Sequence, residues 1–412
     1  MNDRASDTRR HSDDPDRDGD SYSAKPMIRA IAFHLPQFHP IPENDEWWGK
    51  GFTEWTNVVK ARPLFPGHHQ PHFPADLGFY DLRLPEVRAA QAELAASYGI
   101  SGFCYYHYWF NGQRLLGRPL DEILGSGEPD FPFCLCWANE SWTRGWLGQE
   151  REVLISQTYN PDDELMHARW LAKAFADSRY LRKDGRAIFL VYRPDNLPEP
   201  RRLTETLRAA CNKNGDKDPY LIGVDAHHAG RDFRNDGFDA TLAFEPQLGA
   251  LPGAFDDAFS LRKLWRNLRL GVMSGKLKVY DYTEARQRML SLVRPFPTIP
   301  CVFVGWDNTP RRGPNGLIVV NSSPQAFGSA LEAEIAKLRT SADGDPILFI
   351  NAWNEWAEGN HLEPCRRWGL KHLEVIRKAL GRNDRVSDIL PIAIDIQQER
   401  DAEATPRLPD QT

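Results

Sequence analysis

Apolar residues along this chain form short continuous runs, separated by longer stretches with helical periodicity. Several of these runs are apolar throughout instead of alternating, which is typical of parallel strands covered on both faces. Eight runs rich in β-branched or aromatic residues predict strands: Ile28–Phe33, Ile100–Tyr106, Pro132–Trp137, Ala187–Tyr192, Tyr220–Val224, Ala240–Phe244, Cys301–Val304 and Ile347–Ile350.

Helical stretches alternate with these strands. Pro85 at the start of the first stretch and Gly99 just beyond its end match the usual signals for helix entry and exit. Strand–helix alternation repeated eight times predicts an α/β fold, a (β/α)8 TIM-type barrel with long loops over its C-terminal face. An open, doubly wound sheet is the alternative. The predicted helices are Leu84–Ser97, Asp162–Ser178, Glu199–Asn214, Pro324–Thr340 and Trp368–Leu380.

One domain accounts for the whole patterned region. We predict a polar, disordered N-terminal tail over residues 1–26, which has no hydrophobic periodicity, and a barrel over 27–382. A polar C-terminal tail is predicted over 383–412, with a short apolar piece, Ile389–Ile396, that either docks on the barrel or remains loose. Two connections are long for barrel loops and are expected to fold over a barrel end. They are Trp47–Gly78 and Glu245–Pro300, the second with helices near Leu261–Leu270 and Thr283–Val293.

Composition narrows the class of protein. The 412 residues are 41% hydrophobic and 26% charged, with a net charge of −6, which disfavours nucleic acid or an anionic membrane as partner. The longest apolar runs fall far short of the roughly 18 residues that a membrane span needs. The six cysteines are predicted to be free thiols, mostly in buried strands, and the protein is predicted to be cytoplasmic.

Polar side chains follow every predicted strand. Because catalytic groups of a barrel collect where strands pass into the following loops, these positions are candidate binding residues. Convergent carboxylates and amides suit a neutral ligand rich in hydroxyl groups. The candidates are His34, His107, Asn139, Glu140, Asp225, Glu245, Asp307, Asn351 and Asn354.

Tryptophan is over-represented, with 13 residues against 12 tyrosines. Ten of them lie at or just beyond strand ends, and we interpret these as apolar platforms for sugar rings, with core burial as the alternative. Seven are candidate substrate-binding residues: Trp47, Trp48, Trp55, Trp109, Trp306, Trp353 and Trp356. The other three are Trp137, Trp142 and Trp146.

The most specific local signal is a pair of glutamates directly after the eighth strand. Glu355 and Glu358 are three residues apart, a spacing that places both side chains on one face of a helical turn. Cleavage of a glycosidic bond needs one protonated and one ionised carboxyl group. Neighbouring tryptophans would raise the pKa of one glutamate, and Gly359 permits a sharp exit from the turn. The pair is therefore the predicted catalytic centre.

Several segments resemble signatures of the WbsX-type family, described as glycosyltransferase-like and as containing a domain similar to glycoside hydrolase family 99. The resemblance extends from about residue 28 to 382. Its segments are residues 31–57, FCYYHYWF at 103–110, CWANESW at 136–142, GWDNTPRRG at 305–313 and NAWNEWAEGNHLEP at 351–364.

This resemblance implies a mechanism. In the similar family 99 endo-α-mannosidases the substrate's own 2-hydroxyl attacks the anomeric carbon, and the configuration is retained through an epoxide-like intermediate. Glu355 would match the residue that activates this hydroxyl, and Glu358 the general acid/base. The chain departs from the mannosidases at Asn360-His361, so the resemblance does not fix mannose or the linkage.

Three functions follow as hypotheses. The first is a retaining glycosidase or transglycosylase acting on an oligosaccharide or polysaccharide, mannoside-like or from a bacterial surface. The second is a glycosyltransferase of O-antigen, lipopolysaccharide or other surface-polysaccharide biosynthesis, although no Gly-rich phosphate loop follows a strand. The third is a sugar-binding protein without catalysis. No cofactor is expected, and neither His68-His69-x-x-His72 nor His227-His228 has a recognised metal-ligand spacing. Arg144, Arg311 and Arg312 are interpreted as solvated rim residues, with binding of an anionic group, a phosphate or a uronic acid, as the alternative.

Overall fold

The computed structural model describes residues 27–144, 149–213, 215, 217–227 and 230–382. Both predicted tails lie outside this part of the chain. Eight strands of the central sheet alternate with helices, as the sequence pattern predicts. These barrel strands are β1 (Arg29–His34), β2 (Ile100–Phe110), β3 (Phe133–Trp137), β4 (Arg186–Val191), β5 (Tyr220–Val224), β6 (Ala240–Ala243), β7 (Thr298–Phe303) and β8 (Ile347–Asn351).

The sheet closes on itself. β1 pairs with β8, with Arg29 opposite Ile347, and also with β2, with Phe33 opposite Cys104. Each barrel strand pairs in parallel with its neighbours in the sequence order. This closure confirms the predicted (β/α)8 barrel and excludes the open sheet, in which the first and last strands would be edges.

Helices follow the barrel strands and cover the sheet. Four of the longer helices start at a proline, which is suited to the first helical turn because its missing N–H would have no intrahelical partner there. The helices are α1 (Pro42–Trp48), α2 (Glu54–Lys60), α3 (Pro85–Ser97), α4 (Arg118–Ser126), α5 (Pro161–Phe175), α6 (Pro200–Lys213), α7 (Leu261–Leu268), α8 (Tyr282–Leu290), α9 (Thr309–Arg312), α10 (Pro324–Thr340) and α11 (Lys371–Ala379). The predicted helices are confirmed within a few residues at each end.

The long connections contain the expected structure and short additional strands. α1 and α2 lie in the connection after β1, while α7 and α8 lie in the connection between β6 and β7. A small sheet beside the barrel joins Lys278–Asp281, Leu317–Val320 and Trp306–Asp307. Two-stranded ladders join Trp142–Arg144 to Gln149–Ile155 and Asn354–Glu355 to Asn360–His361. Gln113–Leu115 pairs with β2, and Arg182–Lys183 with β4.

Large aromatic side chains fill the upper part of the barrel. The ring of Phe33 on β1 contacts Tyr106, Phe244 and Phe349, which come from three other segments of the barrel. All six cysteines are buried free thiols. Within the described residues, no helix combines the length and apolar character needed to cross a bilayer.

Candidate active site

The chain makes a tight turn directly after β8. Asn354 and Glu355 pair with His361 and Asn360 across a short antiparallel ladder, and the turn between them contains Trp356–Glu358. Gly359 ends the turn with a φ of 58°, and a Cβ there would lie 3.0 Å from the Cβ of Asp307. Glycine is therefore required at this position for both its backbone conformation and its small size.

Two sets of buried hydrogen bonds hold this turn on the barrel. The Asn354 side chain accepts from the backbone N–H of Leu35 at 2.7 Å and donates to the Leu35 carbonyl at 3.0 Å, joining the ends of β8 and β1. Behind the turn, the Glu363 carboxylate accepts from the Trp356 indole at 2.6 Å and from the Tyr80 hydroxyl at 2.8 Å. The backbone that bears Glu355 and Glu358 is thus fixed from two sides.

A cavity of about 430 Å³ lies at this end of the barrel, and both glutamates line it. Its size falls within the range of small-molecule sites. The lining combines aromatic rings with polar groups, a composition suited to a saccharide. The lining residues are Leu35, Gln37, Trp48, Tyr106, Tyr108, Ala138, Glu140, Ser141, Trp142, Thr143, Leu154, Tyr192, His227, Phe244, Leu248, Trp306, Asn308, Arg311, Asn351, Glu355 and Glu358.

Arg311 lies between the carboxylates. Its Nη1 is 2.5 Å from Glu358, and its Nη2 is 3.3 Å from Glu355 and 2.5 Å from Glu54. Glu54 comes from α2 and is fully buried, while the Arg311 side chain is 12% exposed. The interpretation of Arg311 as a solvated rim residue is wrong, because three carboxylates from distant parts of the chain enclose its guanidinium.

Burial and mutual repulsion raise the pKa values of the glutamate pair. Burial raises the pKa of Glu355 to about 8, and the nearby charge of Glu358 adds to this shift. Burial also raises the pKa of Glu358, with Arg311 opposing the change. Two carboxyl groups coupled in this way take up protons as a unit, so the pair retains a shared proton near neutral pH.

Some of the predicted binding residues reach the cavity. Trp48, Trp306 and Asn351 line it beside the glutamate pair. Glu140 lines it as well and forms an ion pair with Arg193. Burial raises the pKa of the Glu140 carboxyl.

Three other predicted residues lie on the outer face of the barrel. His34 bonds to Gln91 of α3 at 3.2 Å, and His107 bonds to His167 of α5 at 3.0 Å. The Trp109 indole donates to Asp163 at 2.8 Å. Because successive side chains of a strand point to opposite faces, these residues pack against helices while their neighbours point inward. The interpretation of all three as substrate-binding residues is therefore corrected.

Asn139 and Asn354 have a structural arrangement in common. The Asn139 side chain accepts from the Arg193 N–H at 2.7 Å and donates to its carbonyl at 2.8 Å, joining the ends of β3 and β4 as Asn354 joins β8 and β1. Each side chain satisfies a backbone donor and acceptor that the ladder leaves open. Neither amide lines the cavity, so they are clamps of the barrel rim instead of ligands.

Asp225 and Glu245 are also occupied by the protein itself. The Asp225 carboxylate accepts from Gln247 at 3.0 Å and from Arg294 at 3.1 Å. Glu245 forms an ion pair with Arg286, and burial raises its pKa to about 7. Both carboxylates lie among partners on the loops and helices outside the cavity, because a buried charge requires such compensation.

Most of the tryptophans proposed as platforms are part of the core. Trp353 and Trp356 are fully buried, the latter with its ring centroid 3.8 Å from that of His361. Trp55 is buried against Trp356 and donates to a backbone carbonyl. Trp47 packs against Trp142 at the rim, behind the cavity wall. Trp146 lies outside the described residues.

Asp307 belongs to a second cavity. It accepts hydrogen bonds from Gln70 at 2.6 Å and pairs with His68 at 2.7 Å, and these partners lower its pKa against the effect of burial. The second cavity, about 480 Å³, is separated from the first by Trp306, which lines both. Asp307 is therefore not a wall residue of the glutamate cavity.

Sequence reasoning assigned Arg311 to a solvated rim and missed three tyrosines of the cavity. Tyr106 and Tyr108 alternate with His107 and Trp109 along β2, and Tyr192 follows β4; all three line the cavity. The period of two along a strand would have found the first two, had the inward face been assigned from it. No group of three or more His, Cys, Asp or Glu side chains suited to a metal ion occurs in the described part of the chain.

Comparison with known proteins identifies the family. A family model described as "Glycosyltransferase WbsX" matches residues 30–376. The chain belongs to the WbsX glycosyltransferase family. The description places the family among carbohydrate-active proteins.

Two curated bacterial proteins are similar in sequence to this chain. The chain is 43% identical over 354 residues to "Uncharacterized protein WxcX" of Xanthomonas campestris pv. campestris, strains B100 and ATCC 33913. The match covers 85% of this chain and 49% of the relative, so the chain spans about half the length of the curated relatives it matches.

Two solved structures share the barrel fold. One is the family 99 endo-α-mannosidase from Bacteroides thetaiotaomicron, with a TM-score of 0.51 at 14% identity, covering 86% of this chain and 96% of that one. The other is described as "Glycoside hydrolase-like protein", with a TM-score of 0.53 at 13% identity, covering 86% and 94%. At these identities the likeness shows the fold alone.

Proposed function

We propose that this WbsX-family protein acts on a glycosidic bond by retaining, glycosidase-like chemistry, with Glu355 and Glu358 as catalytic residues. The observation that supports this most is the position of both carboxylates on one cavity, in contact with one guanidinium. A glycosidic bond needs a proton donor for the leaving oxygen and a second carboxylate beside the reacting sugar. The pair satisfies this requirement because it shares a proton.

The proposed steps follow the mechanism that the family 99 resemblance implies. Glu355 takes the proton of the sugar's 2-hydroxyl while that oxygen bonds to the anomeric carbon. Glu358 gives its proton to the departing oxygen as the glycosidic bond breaks. In the return step, Glu358 removes a proton from water, water opens the epoxide-like ring at the anomeric carbon, and Glu355 returns its proton to the 2-oxygen. Both residues end in their initial states, and the configuration is retained.

The position of Arg311 bears on where the shared proton lies. In the free site, the guanidinium is closer to Glu358 than to Glu355, so the ionised form of Glu358 is favoured and the proton lies on Glu355. The proposed roles need the opposite arrangement. A 2-hydroxyl that donates to Glu355 stabilises the ionised form of that residue, so substrate binding would transfer the proton to Glu358.

The proposed substrate is an oligosaccharide or polysaccharide, mannoside-like or derived from a bacterial surface. Supporting this class are the tyrosine and tryptophan rings of the cavity, which suit the C–H faces of sugars, and the glutamate and asparagine side chains beside them. The barrel shared with an endo-α-mannosidase makes α-mannosides the first substrates to test. We place the reaction in the cytoplasm, where six free thiols remain reduced.

Transfer from an activated sugar is the second candidate, because the family is described as a glycosyltransferase family. Charge in the cavity argues against a nucleotide diphosphate there. Among the described lining residues are three acidic side chains, Glu140, Glu355 and Glu358, and one guanidinium, Arg311, which carboxylates already enclose. A diphosphate at this place would be repelled by like charge.

Variants of the pair test the proposal. Glu358→Gln should reduce turnover of a cleavable α-mannoside or surface oligosaccharide by at least about a thousandfold with nearly unchanged affinity, since the acid is lost and the shape is kept. Glu355→Gln should have the same effect, and a 2-deoxy substrate should be inert. Glu284→Gln, at an exposed glutamate of α8 outside the cavity, is the matched control and should retain most activity.

Three outcomes would contradict the proposal. Retained turnover in Glu358→Gln would remove its acid role. If nucleotide sugars alone raise the melting temperature by binding and support transfer, the transferase hypothesis is correct. If saccharides bind but no glycoside or nucleotide sugar is turned over, the protein is a binding protein.

A further inference from the structure

Helix α7 packs its polar side against the protein. Lys263 and Asn267, one turn apart, are 5% and 0% exposed. The Lys263 ammonium donates to the Ala258 carbonyl at 2.9 Å. The Asn267 amide donates to the carbonyls of Ser274 and Leu277, both at 2.8 Å. Hydrogen bonds to backbone carbonyls therefore hold much of the inner face of this helix, beside the half-buried Leu264.

The outer face of α7 is apolar. Leu261, Trp265 and Leu268 are 63%, 69% and 39% exposed. Their spacing of four and three residues places them on one side of the helix. A surface helix of a globular protein normally buries this stripe and exposes its polar residues. The reversed orientation of α7 indicates that the apolar stripe has a partner outside the described chain.

Other exposed apolar side chains lie in the same segment. Phe255, Phe259 and Met273 are 63%, 58% and 86% exposed. Together with the stripe they make up six of the sixteen large apolar side chains that are exposed in the described residues. We name these six residues the α7 patch. A short segment with so many exposed apolar side chains is a candidate interaction site, whereas singly scattered exposed apolar residues are not.

Basic residues flank the stripe. Arg262 and Arg269 lie one position further along the helix than Leu261 and Leu268 and so flank the stripe, while the Arg266 guanidinium packs over the Tyr280 ring, 4.6 Å from its centroid. Residues 255–276 contain five basic and two acidic side chains, although the whole chain has a net charge of −6. An apolar stripe with tryptophan and leucine beside arginines is the pattern of helices that lie in a bilayer interface.

We propose that the α7 patch binds the surface of a bilayer containing anionic lipids. The helix would lie in the plane of the interface, with its leucines and tryptophan at the acyl boundary and its arginines on lipid phosphates. The ring of Phe255 stacks on His227, which lines the glutamate cavity, with centroids 6.1 Å apart. A bound surface would therefore hold the cavity beside the lipid.

Vesicle sedimentation tests this with the full chain. We expect binding to phosphatidylglycerol–phosphatidylcholine vesicles that exceeds binding to phosphatidylcholine alone by about tenfold or more and weakens with salt. The triple variant Leu261→Ser, Trp265→Ser, Leu268→Ser should bind at least about tenfold less, because it loses the inserted apolar area. The double variant Arg262→Gln, Arg269→Gln should lose only the preference for the anionic lipid.

Controls keep the result independent of folding and of catalysis. Leu84→Ser with Met166→Ser removes two exposed apolar side chains elsewhere and should bind as the unaltered chain does. Glu358→Gln should bind vesicles normally, so failure of the glycosidase proposal would leave this result unaffected. Circular dichroism and the melting temperature check each variant.

Two outcomes would overturn the proposal. One is sedimentation with neither vesicle, or equal sedimentation by the triple variant and the unaltered chain. The other is a concentration-dependent dimer that the triple variant abolishes, without vesicle binding, which would assign the α7 patch to contact between copies of this chain.

Discussion

The turn after β8 buries charged side chains, whereas helix α7, which follows β6, exposes apolar ones. In the turn, Glu355 and Glu358 are turned inward, and an arginine offsets their charge. In α7, Leu261 and Trp265 are turned outward, while a lysine and an asparagine are buried. Both arrangements depart from the usual preference for burying apolar groups and exposing charged ones.

The two regions differ in which groups offset the buried charge or cover the exposed apolar surface. Around the glutamates, the compensating group belongs to the chain itself, as the contacts of Arg311 with Glu355 and Glu358 show. Around α7, the buried side is satisfied by backbone carbonyls, but the exposed stripe is covered by nothing in the described residues. Internal compensation is expected of a reaction centre that is formed before its ligand arrives, and an exposed stripe is expected of a docking surface.

Removing the internal compensation should have the largest effect. Arg311→Met leaves three buried carboxylates without their counter-ion, so we expect a loss of about 3–5 kcal/mol in the free energy of unfolding and at least about a hundredfold in turnover. Urea denaturation and steady-state kinetics measure the two effects. The neighbouring Arg312→Met is the control, because Arg312 pairs with the 40%-exposed Asp257 and should change stability by less than about 1 kcal/mol.

The next largest effect should be a dependence of the unfolding free energy on pH, caused by the burial of Glu355. Glu355 has a pKa of about 8 in the folded protein against a reference of 4.5, so the folded state holds this proton more tightly than the unfolded state does. Stability should therefore fall as pH rises from about 4.5 to 8, by up to a few kcal/mol. Glu355→Gln removes this contribution. If the unaltered protein and the variant show parallel curves of unfolding free energy against pH, Glu355 is not protonated in the free site.

The reversed orientation of α7 predicts a smaller and unusual pair of effects. Asn267→Ala should lower the free energy of unfolding by about 1–3 kcal/mol, because two backbone carbonyls lose their donor. Trp265→Ser should change it by less than about 0.5 kcal/mol, since the ring is mostly exposed in the absence of a partner. A large loss from Trp265→Ser, measured in denaturant without lipid, would show that the stripe already packs against the protein.

The barrel could be predicted from the sequence because its signals are local. Runs such as Ile347–Ile350 and start signals such as Pro85 and Pro324 depend on residues within one element. The glutamate pair was also local, since Glu355 and Glu358 lie in one turn. Their position on a cavity follows from the strand they succeed, which is the general rule for barrels.

The other cavity residues could not be predicted in the same way, because their positions are not determined by the residues next to them in the sequence. Which face of β2 points inward decides between Tyr106 and His107, and a shift of one residue exchanges the two sets. The environment of Arg311 depends on α2 and on the turn after β8, so its motif alone suggests only an exposed cation. The net charge of the whole chain likewise gave no indication of the basic residues on α7, because acidic residues elsewhere outnumber them.

The ion pairs of Arg311 also imply that the site is completed late in folding. They join residues 257, 47 and 44 positions apart, from the first connection and the last two strand ends. Contacts of such long sequence separation form only after the intervening loops have closed. No fragment that starts after Glu54 or ends before Glu358 contains the complete cluster. During refolding, activity should therefore return only when β1 has joined β8. This step should come later than the return of the helical circular-dichroism signal.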